Sequence, residues 1–281
     1  MRRKADRKNR IGKTPWISLA IIFIFVFLGI FGGVLAPHDA TGMALADKFK
    51  APFFMKGGSF EYILGTDELG RDVLSRIIVG GRISLVVALS AIIVGCVFGT
   101  LLGVLSGYFG GLTDVVIMRL TDATLAFPAI LLALLLSLSV GPGIKSAIIS
   151  IAFSMWAKYT RTVKTDVKVL KLKNYVTQSK IMGASDIRIM IRHILPNIKN
   201  AIIAMVTMDI GMAIISEASL SFLGLSVIPP TPSWGLMIAD GKDYFIKAPW
   251  VSICPAVVTI ITVIAFQRVG DWIKNKGDKR I

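Results

Sequence analysis

The stretch ISLVVALSAIIVGCVFGTLLGVLSGYFGGLT, residues Ile83–Thr113, contains 31 consecutive residues without a charged side chain. An α-helix rises about 1.5 Å per residue, so about 20 such residues cross the ~30 Å hydrocarbon core of a bilayer. A run of this length is typical of a membrane span and too long for most buried helices of soluble domains. The stretch therefore predicts a helix that crosses a membrane.

A row of glycines runs through the same stretch. Gly95, Gly99, Gly103 and Gly107 are spaced by four residues, and Gly111 continues the row just beyond the span. Residues four apart lie on one face of a helix, and a face of glycines lets the backbone of another helix approach closely. The row predicts a tight helix–helix contact, which could also permit sliding during a transport cycle.

The composition of the whole chain agrees with a membrane protein. Of the 281 residues, 54% are hydrophobic and the mean hydropathy is +0.71, whereas soluble domains are about 45–50% apolar. The fold class predicted is all-α, a polytopic membrane protein with about six transmembrane helices. They are expected near residues 16–36, 84–107, 113–138, 143–159, 199–223 and 249–267, with 143–159 the weakest because only Ser146–Ala157 is uncharged.

Basic residues indicate the orientation, since cytoplasmic loops are enriched in Lys and Arg. The tail before Trp16 has seven basic residues, the segment 158–199 has ten and the tail from Arg268 has five, 22 of the 32 in the chain. A six-span arrangement puts all three regions on one side. Both termini are therefore expected in the cytoplasm, where the excess charge would contact anionic lipid and not nucleic acid.

This topology divides the chain into five predicted parts. A small lobe (37–82) and a shorter loop (226–248) are expected outside the membrane. The full division is a cytoplasmic basic tail (1–15), a first transmembrane helix (16–36), the external lobe (37–82), a core bundle of five transmembrane helices (83–267) and a cytoplasmic tail (268–281).

Catalytic chemistry is not indicated by any motif. The triplet Gly12-Lys13-Thr14 resembles the end of a phosphate-binding loop, but Arg7 stands where that motif needs its first glycine. Cys96 and Cys254 lie within apolar runs and are expected to be small buried side chains, with no metal site. We expect a chain that is not an enzyme and binds no cofactor.

Ionisable residues within spans are functional candidates, because their burial in a membrane is costly. Asp209 and Glu217 lie eight residues apart, on roughly one side of the fifth predicted span. They could line an aqueous translocation path, or they could bond to groups within the bundle. Arg119 and Asp122 lie three residues apart in the third predicted span and are expected to pair with each other.

The polar segment between the fourth and fifth spans has an amphipathic pattern. Two interpretations fit it: a helix lying on the lipid surface, or a helix that docks a cytoplasmic protein. Pro196 is expected to end this helix before the fifth span. Its apolar residues Ile187, Met190, Ile191, Ile194 and Leu195 recur at helical spacing, and the small residues Gly183, Ala184 and Ser185 precede them.

The segment resembles the coupling loop of ATP-binding-cassette (ABC) importer permeases. That loop reads E-A-A, three residues, Gly, nine residues, Ile-x-Leu-Pro, and Gly183 with Leu195-Pro196 matches it. Thr177-Gln178-Ser179 replaces E-A-A, and His193 replaces the Ile. Three further stretches, GTDELGRDVLSRIIVGGRISL (65–85), MRLTDATLAFPAILLAL (118–134) and SEASLSFLGLSVIPPTPSWGLMI (216–238), resemble the second permease subunit of dipeptide, oligopeptide and nickel importers.

The resemblance covers nearly the whole chain and implies a function. A coupling helix at about 176–196 would dock on a cytoplasmic ATPase through Gly183, Ala184, Ser185, Ile187, Met190, Ile191, Leu195 and Pro196. Two ABC ATPase subunits would use ATP and Mg²⁺, a homologous permease would complete a heterodimer, and an extracytoplasmic solute-binding protein would deliver the substrate. The membrane would be the bacterial or archaeal plasma membrane.

The substrate stays open between peptides, which we expect, and nickel or metal chelates. A different class of protein is also compatible with the acids in the fifth span. An ion-coupled secondary transporter would use Asp209 and Glu217 as its carrier site, although no inverted repeat of the kind common in such transporters is evident.

Overall fold

The computed structural model describes residues 14–278. Over this range the chain is helical, with one isolated β-bridge between Thr66 and Asp72, which confirms the all-α prediction. Most of the tail predicted at 1–15, including Gly12 and Lys13, and the last three residues of the chain lie outside the described range. The helices are α1 (Trp16–Leu35), α2 (Val73–Phe109), α3 (Gly111–Leu125), α4 (Ala129–Val140), α5 (Ile144–Lys171), α6 (Asn174–Ile181), α7 (Asp186–Ile189), α8 (Leu195–Phe222), α9 (Trp234–Lys242) and α10 (Trp250–Asp278).

Among the described residues, four helical stretches are long and apolar enough to cross a membrane: α1, α2, the stretch Asp186–Phe222, and α10. The bent pair α3–α4 makes a fifth if the two helices form one span. Helix α5, which contains the weakest predicted span, does not meet this criterion, because six lysines and arginines lower its hydropathy. Length and composition thus account for four or five of the six predicted spans.

The third predicted span is broken rather than continuous. Helix α3 ends at Leu125, α4 begins at Ala129, and their axes differ by 92°. Pro128 lies at the break and is the N-cap of α4. Proline has no N–H to donate to the preceding turn and disfavours helical backbone at the residue before it, so a single helix over 113–138 was a wrong prediction.

The glycine row of α2 lies against α5, as predicted. A Cβ atom added to Gly95 would lie 2.9 Å from the carbonyl oxygen of Ala152, and one added to Gly103 would lie 2.8 Å from that of Thr160. Gly99 approaches Trp156 in the same way, and its own carbonyl accepts a hydrogen bond from Thr160 Oγ1 at 3.1 Å. The two backbones are therefore too close for any side chain at these positions.

This contact explains how a helix as polar as α5 belongs to the bundle. The residues on one face of α5 are fully or almost fully buried, whereas Lys158, Arg161 and Lys168 lie exposed on another face. The helix also continues to Lys171, well past the predicted end at 159. The buried face comprises Ala147, Ile151, Ala152, Tyr159, Thr160, Val163 and Val167.

A π-helical turn, Met190–Ile194, joins α7 to α8 without interrupting the helix. The Leu195 N–H donates to the Met190 carbonyl, five residues back. Pro196 follows at the first turn of α8. The prediction that Pro196 ends the helix was wrong, because the wider turn before it takes up a residue that has no N–H to donate.

Helix α2 begins at Val73, so its first turns lie within the range 37–82 that was predicted as an external lobe. Asp72 caps α2 by accepting a 2.9 Å hydrogen bond from the Ser75 N–H. The loop predicted at 226–248 contains the helix α9, which was not predicted. Trp234 of α9 is 1% exposed and donates from Nε1 to the Ile77 carbonyl of α2 at 3.0 Å.

A buried cluster of charges joins the lobe to α2 and α9. Arg76 of α2 lies between Asp67 of the lobe (3.4 Å) and Asp240 of α9 (3.3 Å), and its side chain is 2% exposed. Arg71 contacts Asp67 at 2.7 Å and Glu68 at 2.6 Å. Burial raises the pKa of the Asp240 carboxyl, and the two arginines oppose that shift. The two arginines therefore compensate for the burial of the Asp240 carboxyl.

The close approach of α2 and α5 predicts that Gly103→Val destabilises the fold. The added side chain would meet the Thr160 carbonyl and Val163, and overpacking of this kind costs about 1–3 kcal/mol. The measurement is the midpoint of thermal unfolding in detergent. Gly33→Val is the matched control, since no atom lies within 4 Å of a Cβ at Gly33 in α1. Equal midpoints for the two variants would contradict the prediction.

The charge cluster predicts that Arg76→Met loosens the lobe that precedes α2. Asp67 and Asp240 would lose a buried partner, and removing one member of a buried ion pair costs about 3–5 kcal/mol. Hydrogen–deuterium exchange of residues 40–72 should rise strongly in this variant. Lys48→Met, which changes an exposed lysine of the same lobe, should leave the exchange unaltered.

Candidate coupling site

The segment between α5 and α8 folds into two helices joined by a tight turn at Gly183. Gly183 has φ of +84°, a conformation that favours glycine. The Gly183 N–H donates to the Lys180 carbonyl and the Ala184 N–H donates to the Ser179 carbonyl, both at 3.0 Å. This is the Schellman arrangement that ends a helix. The single helix predicted at about 176–196 is therefore wrong: it divides at Gly183.

Beyond the turn, Ser185 starts the next helix. Its side chain accepts a hydrogen bond from the Arg188 N–H at 3.4 Å, as expected for an N-cap serine. Gly183 and Ser185 are exposed and Ala184 is partly exposed. The three small residues thus form the bend between two helices, and no neighbouring atom lies within 4 Å of a Cβ at Gly183.

The predicted apolar stripe divides into a buried set and an exposed set. Met190 is 9% exposed and Ile194 is fully buried, whereas Ile187 and Ile191 are 65% and 61% exposed. Leu195 is partly buried and Pro196 is exposed. The buried set packs, together with Ile189 and Ile198, against Val104, Tyr108, Val163, Val167 and Val176.

The exposed set extends onto α6 and the turn. Ile181 and Met182 are 81% and 79% exposed, and with Ile187 and Ile191 they form what we call the coupling patch. Ile187 and Ile191 lie four residues apart and share a helix face. Such exposed apolar groups beside lysines and arginines are typical of a surface that another protein covers. Of the residues that replace E-A-A, Thr177 and Gln178 are exposed and Ser179 is 8% exposed.

A polar link ties this segment to the end of α2. The Tyr108 hydroxyl donates to Asp186 Oδ1 at 2.6 Å, and Lys171 Nζ donates to the Tyr108 carbonyl at 2.5 Å. Tyr108 is 4% exposed. The first residue of α7 is therefore held to the last turn of α2 and the end of α5, so displacement of the coupling patch would be passed to these spans.

The two acids of α8 lie inside the bundle. Asp209 is 2% exposed and pairs with Lys158 Nζ of α5 at 2.5 Å. Glu217 is fully buried, and its Oε1 accepts hydrogen bonds from Ser221 (2.6 Å) and Ser226 (3.4 Å). The predicted pairing of Arg119 with Asp122 was wrong, because the Asp122 carboxylate pairs with Arg161 of α5 instead.

The comparisons with known proteins agree with this architecture. Residues 99–281 match the family described as "Binding-protein-dependent transport system inner membrane component". The Di/tripeptide transport system permease protein DppC of Pseudomonas aeruginosa (strain UCBPP-PA14) is 36% identical over 99% of this chain and 90% of its own length. The chain belongs to this family of transport permeases.

Two further relatives extend the comparison. The Glutathione transport system permease protein GsiD of Escherichia coli O157:H7 is 39% identical over 98% of this chain and 89% of its own length. A chain of the MetNI methionine ABC transporter, in inward-facing conformations, matches in structure with a TM-score of 0.58 over 72% of this permease and 96% of that chain. Its sequence identity is 18%, so it shows the permease fold alone.

The link through Tyr108 predicts that Tyr108→Phe loosens the coupling segment of this permease. Loss of one buried hydrogen bond costs about 1 kcal/mol, which corresponds to a several-fold rise in hydrogen–deuterium exchange of residues 174–191. Tyr175→Phe is the control, since the Tyr175 hydroxyl on α6 forms no hydrogen bond with other described residues. Unchanged exchange in Tyr108→Phe would show that the apolar contacts alone hold the segment.

Proposed function

We propose that this chain is one of two homologous permease subunits of an ABC importer that carries peptides into the cytoplasm. The observation that carries the proposal is the coupling patch. It is apolar, it lies on a rigidly tied bend between α6 and α7, and nothing in residues 14–278 covers it. ATP and Mg²⁺ would be bound by two separate ATPase subunits, so the chain itself would be a transport subunit and not an enzyme.

The contacts around the patch support a mechanical role. Ile187 and Ile191 would enter a cleft of an ATPase, while Ile189 and Ile194 of the same helix, both 0% exposed, pack on α2 and α5. When two ATPases close on ATP, they would draw the patches of the two permeases together. The π turn and α8 form one continuous helix with α7, which would carry that displacement into the membrane.

The distribution of basic residues supports the orientation. The coupling segment and the tails would lie in the cytoplasm, and the lobe before α2 would face outward with α9. A solute-binding protein would dock at that external end. The membrane would be the bacterial or archaeal plasma membrane, with lipid around the exposed apolar side chains of α1, such as Phe23 and Ile30.

The relatives support peptides as the substrate. One is named for di- and tripeptides and another for glutathione, a tripeptide. The family also includes importers for other solutes, but no observation on the described residues favours nickel or a metal chelate. An ion-coupled mechanism would need Asp209 or Glu217 to be reached by water, and both are at most 2% exposed in this chain.

The test is a double substitution in the coupling patch, Ile187→Asp with Ile191→Asp. The tagged permease should still insert and recover its homologous partner from membranes, but the ATPase subunits should be lost from the purified complex. ATP-dependent uptake of a labelled dipeptide into proteoliposomes should fall to background. Ile246→Asp is the control for ATPase recovery alone, because Ile246 is a fully exposed isoleucine in the loop between α9 and α10, outside the coupling patch.

Two results would contradict the proposal. One is full recovery of the ATPases with the double variant, which would show that the patch is not their docking surface. The other is uptake by the wild-type complex that continues without ATP, which would favour an ion-coupled transporter.

A further inference from the structure

A lysine and an aspartate meet at the midpoints of two antiparallel helices. Lys158 is the fifteenth of the 28 residues of α5, and Asp209 is the fifteenth of the 28 residues of α8. Each therefore lies about 21 Å from the start of its helix, near the centre of the bundle. Lys158 Nζ lies 2.5 Å from Asp209 Oδ1.

The two partners differ in exposure. The Asp209 side chain is 2% exposed, whereas that of Lys158 is 53% exposed. The second oxygen of Asp209, Oδ2, is buried and has no hydrogen-bond partner among the described residues. Asp209 is thus a fixed negative charge within the bundle, and the ammonium group of Lys158 is the part of the pair that another molecule can reach.

The exposed side of Lys158 belongs to a charged face. Arg161 and Lys168 lie on the same face of α5 and pair with Asp122 and Asp114 of α3. We call this face, from Lys168 at the cytoplasmic end up to Lys158, the α5 groove. Charged side chains at membrane depth face the interior of a bundle or a water-filled cavity and not lipid. By this rule water would fill the α5 groove, and Lys158 would be its cation farthest from Lys168.

The chemistry of the pair favours a carboxylate ligand. An ammonium group has three N–H donors, and the bond to Asp209 occupies one of them. A carboxylate that approaches from the groove would accept the others in a charge-assisted hydrogen bond. Asp209 neutralises the lysine when no ligand is present, so the site would bind weakly and release readily.

We propose that Lys158 binds the C-terminal carboxylate of the peptide as it crosses the membrane, with Asp209 as the residue that positions the lysine. This inference rests on the proposed function, because it assumes that the cargo is a peptide. In this proposal the residue that contacts the cargo is Lys158 of α5, and neither acid of α8 contacts it.

The test compares uptake of a dipeptide with uptake of its C-terminal amide. The complex with its co-purified binding protein is reconstituted in proteoliposomes, and each peptide is supplied at a concentration that saturates the binding protein. The ratio of acid to amide uptake is measured for the wild type and for Lys158→Met. Because the binding protein is the same in both complexes, its own preference cancels when the two ratios are compared.

We expect Lys158→Met to lower the acid-to-amide ratio by about tenfold, the scale of one charge-assisted hydrogen bond. Lys158→Arg keeps the cation and should retain most of the ratio. ATP hydrolysis is measured in both variants to show whether the complex has assembled. Lys145→Met, at the exposed external end of α5, should leave the ratio unchanged.

Two outcomes would overturn the inference. The first is an unchanged acid-to-amide ratio in Lys158→Met, whether uptake of both peptides stays the same or falls equally. The second applies if Lys158→Met does not assemble, and is a failure of Lys158→Arg to retain the ratio. Failure of the proposed function gives a different result, since the wild-type complex would then show no ATP-dependent uptake of either peptide.

Discussion

The rest of the structure depends on the contact between the backbones of α2 and α5. Helix α5 carries six lysines and arginines and has too little apolar surface to insert into a membrane by itself. It packs in the bundle because four glycines of α2 leave room for its backbone. Carbonyl groups of α5 and the Thr160 hydroxyl lie where side chains of α2 would otherwise be. The dispersion contacts of such an approach stabilise helix pairs in a membrane, where lipid competes for apolar surface. The polar face of α5 points away from this contact and forms the α5 groove.

Polar contacts at both ends of α2 connect this pair of helices to neighbouring segments. At the start of α2 the Arg76 cluster joins the helix to the lobe and to α9. At the end of α2 the Tyr108 hydroxyl joins it to α7. Arg76 and Tyr108 are themselves buried, at 2% and 4% exposure, so water competes little for the hydrogen bonds on their side of each contact. A displacement of α7 would therefore act on the two ends of α2 alike, because both ends are held by polar contacts.

Much of this architecture could be predicted from local patterns. Uncharged runs identified α1, α2 and α10, and the spacing of Gly95 to Gly107 predicted a close helix contact, because both signals belong to one helix. The identity of the partner helix was not predictable, since α5 has no apolar run that would single it out. The break at Pro128 and the continuity through Pro196 show the same limit: two prolines in similar surroundings had opposite effects, and a π turn decided the second.

The sequence pointed to the candidate coupling segment but did not predict its shape. Gly183 was read as a small residue within a helix, whereas its positive φ makes it the end of one. The sequence also could not predict which residues of the apolar stripe are buried and which are exposed. Met190 and Ile191 are adjacent in the sequence, and their burial depends on where α2 and α5 lie. The Lys158–Asp209 pair joins residues 51 positions apart, and such pairs become visible once α5 and α8 are known to be neighbours.

The π turn at Met190–Ile194 also fixes a rotational relationship. A π turn holds about one residue more than an α turn in the same rotation, so it offsets the segment before it by about 100° from its position in an uninterrupted α-helix of the same number of residues. The bearing of Ile187 around the helix axis, relative to Asp209, therefore depends on this turn, although both residues belong to one continuous helix. A substitution that converted the turn to regular α-helix would leave the helix equally apolar, yet would rotate the exposed face of Ile187 and Ile191 by about 100°. Deletion of one residue together with that conversion would restore the bearing, so residue number and turn type are constrained together in this short interval.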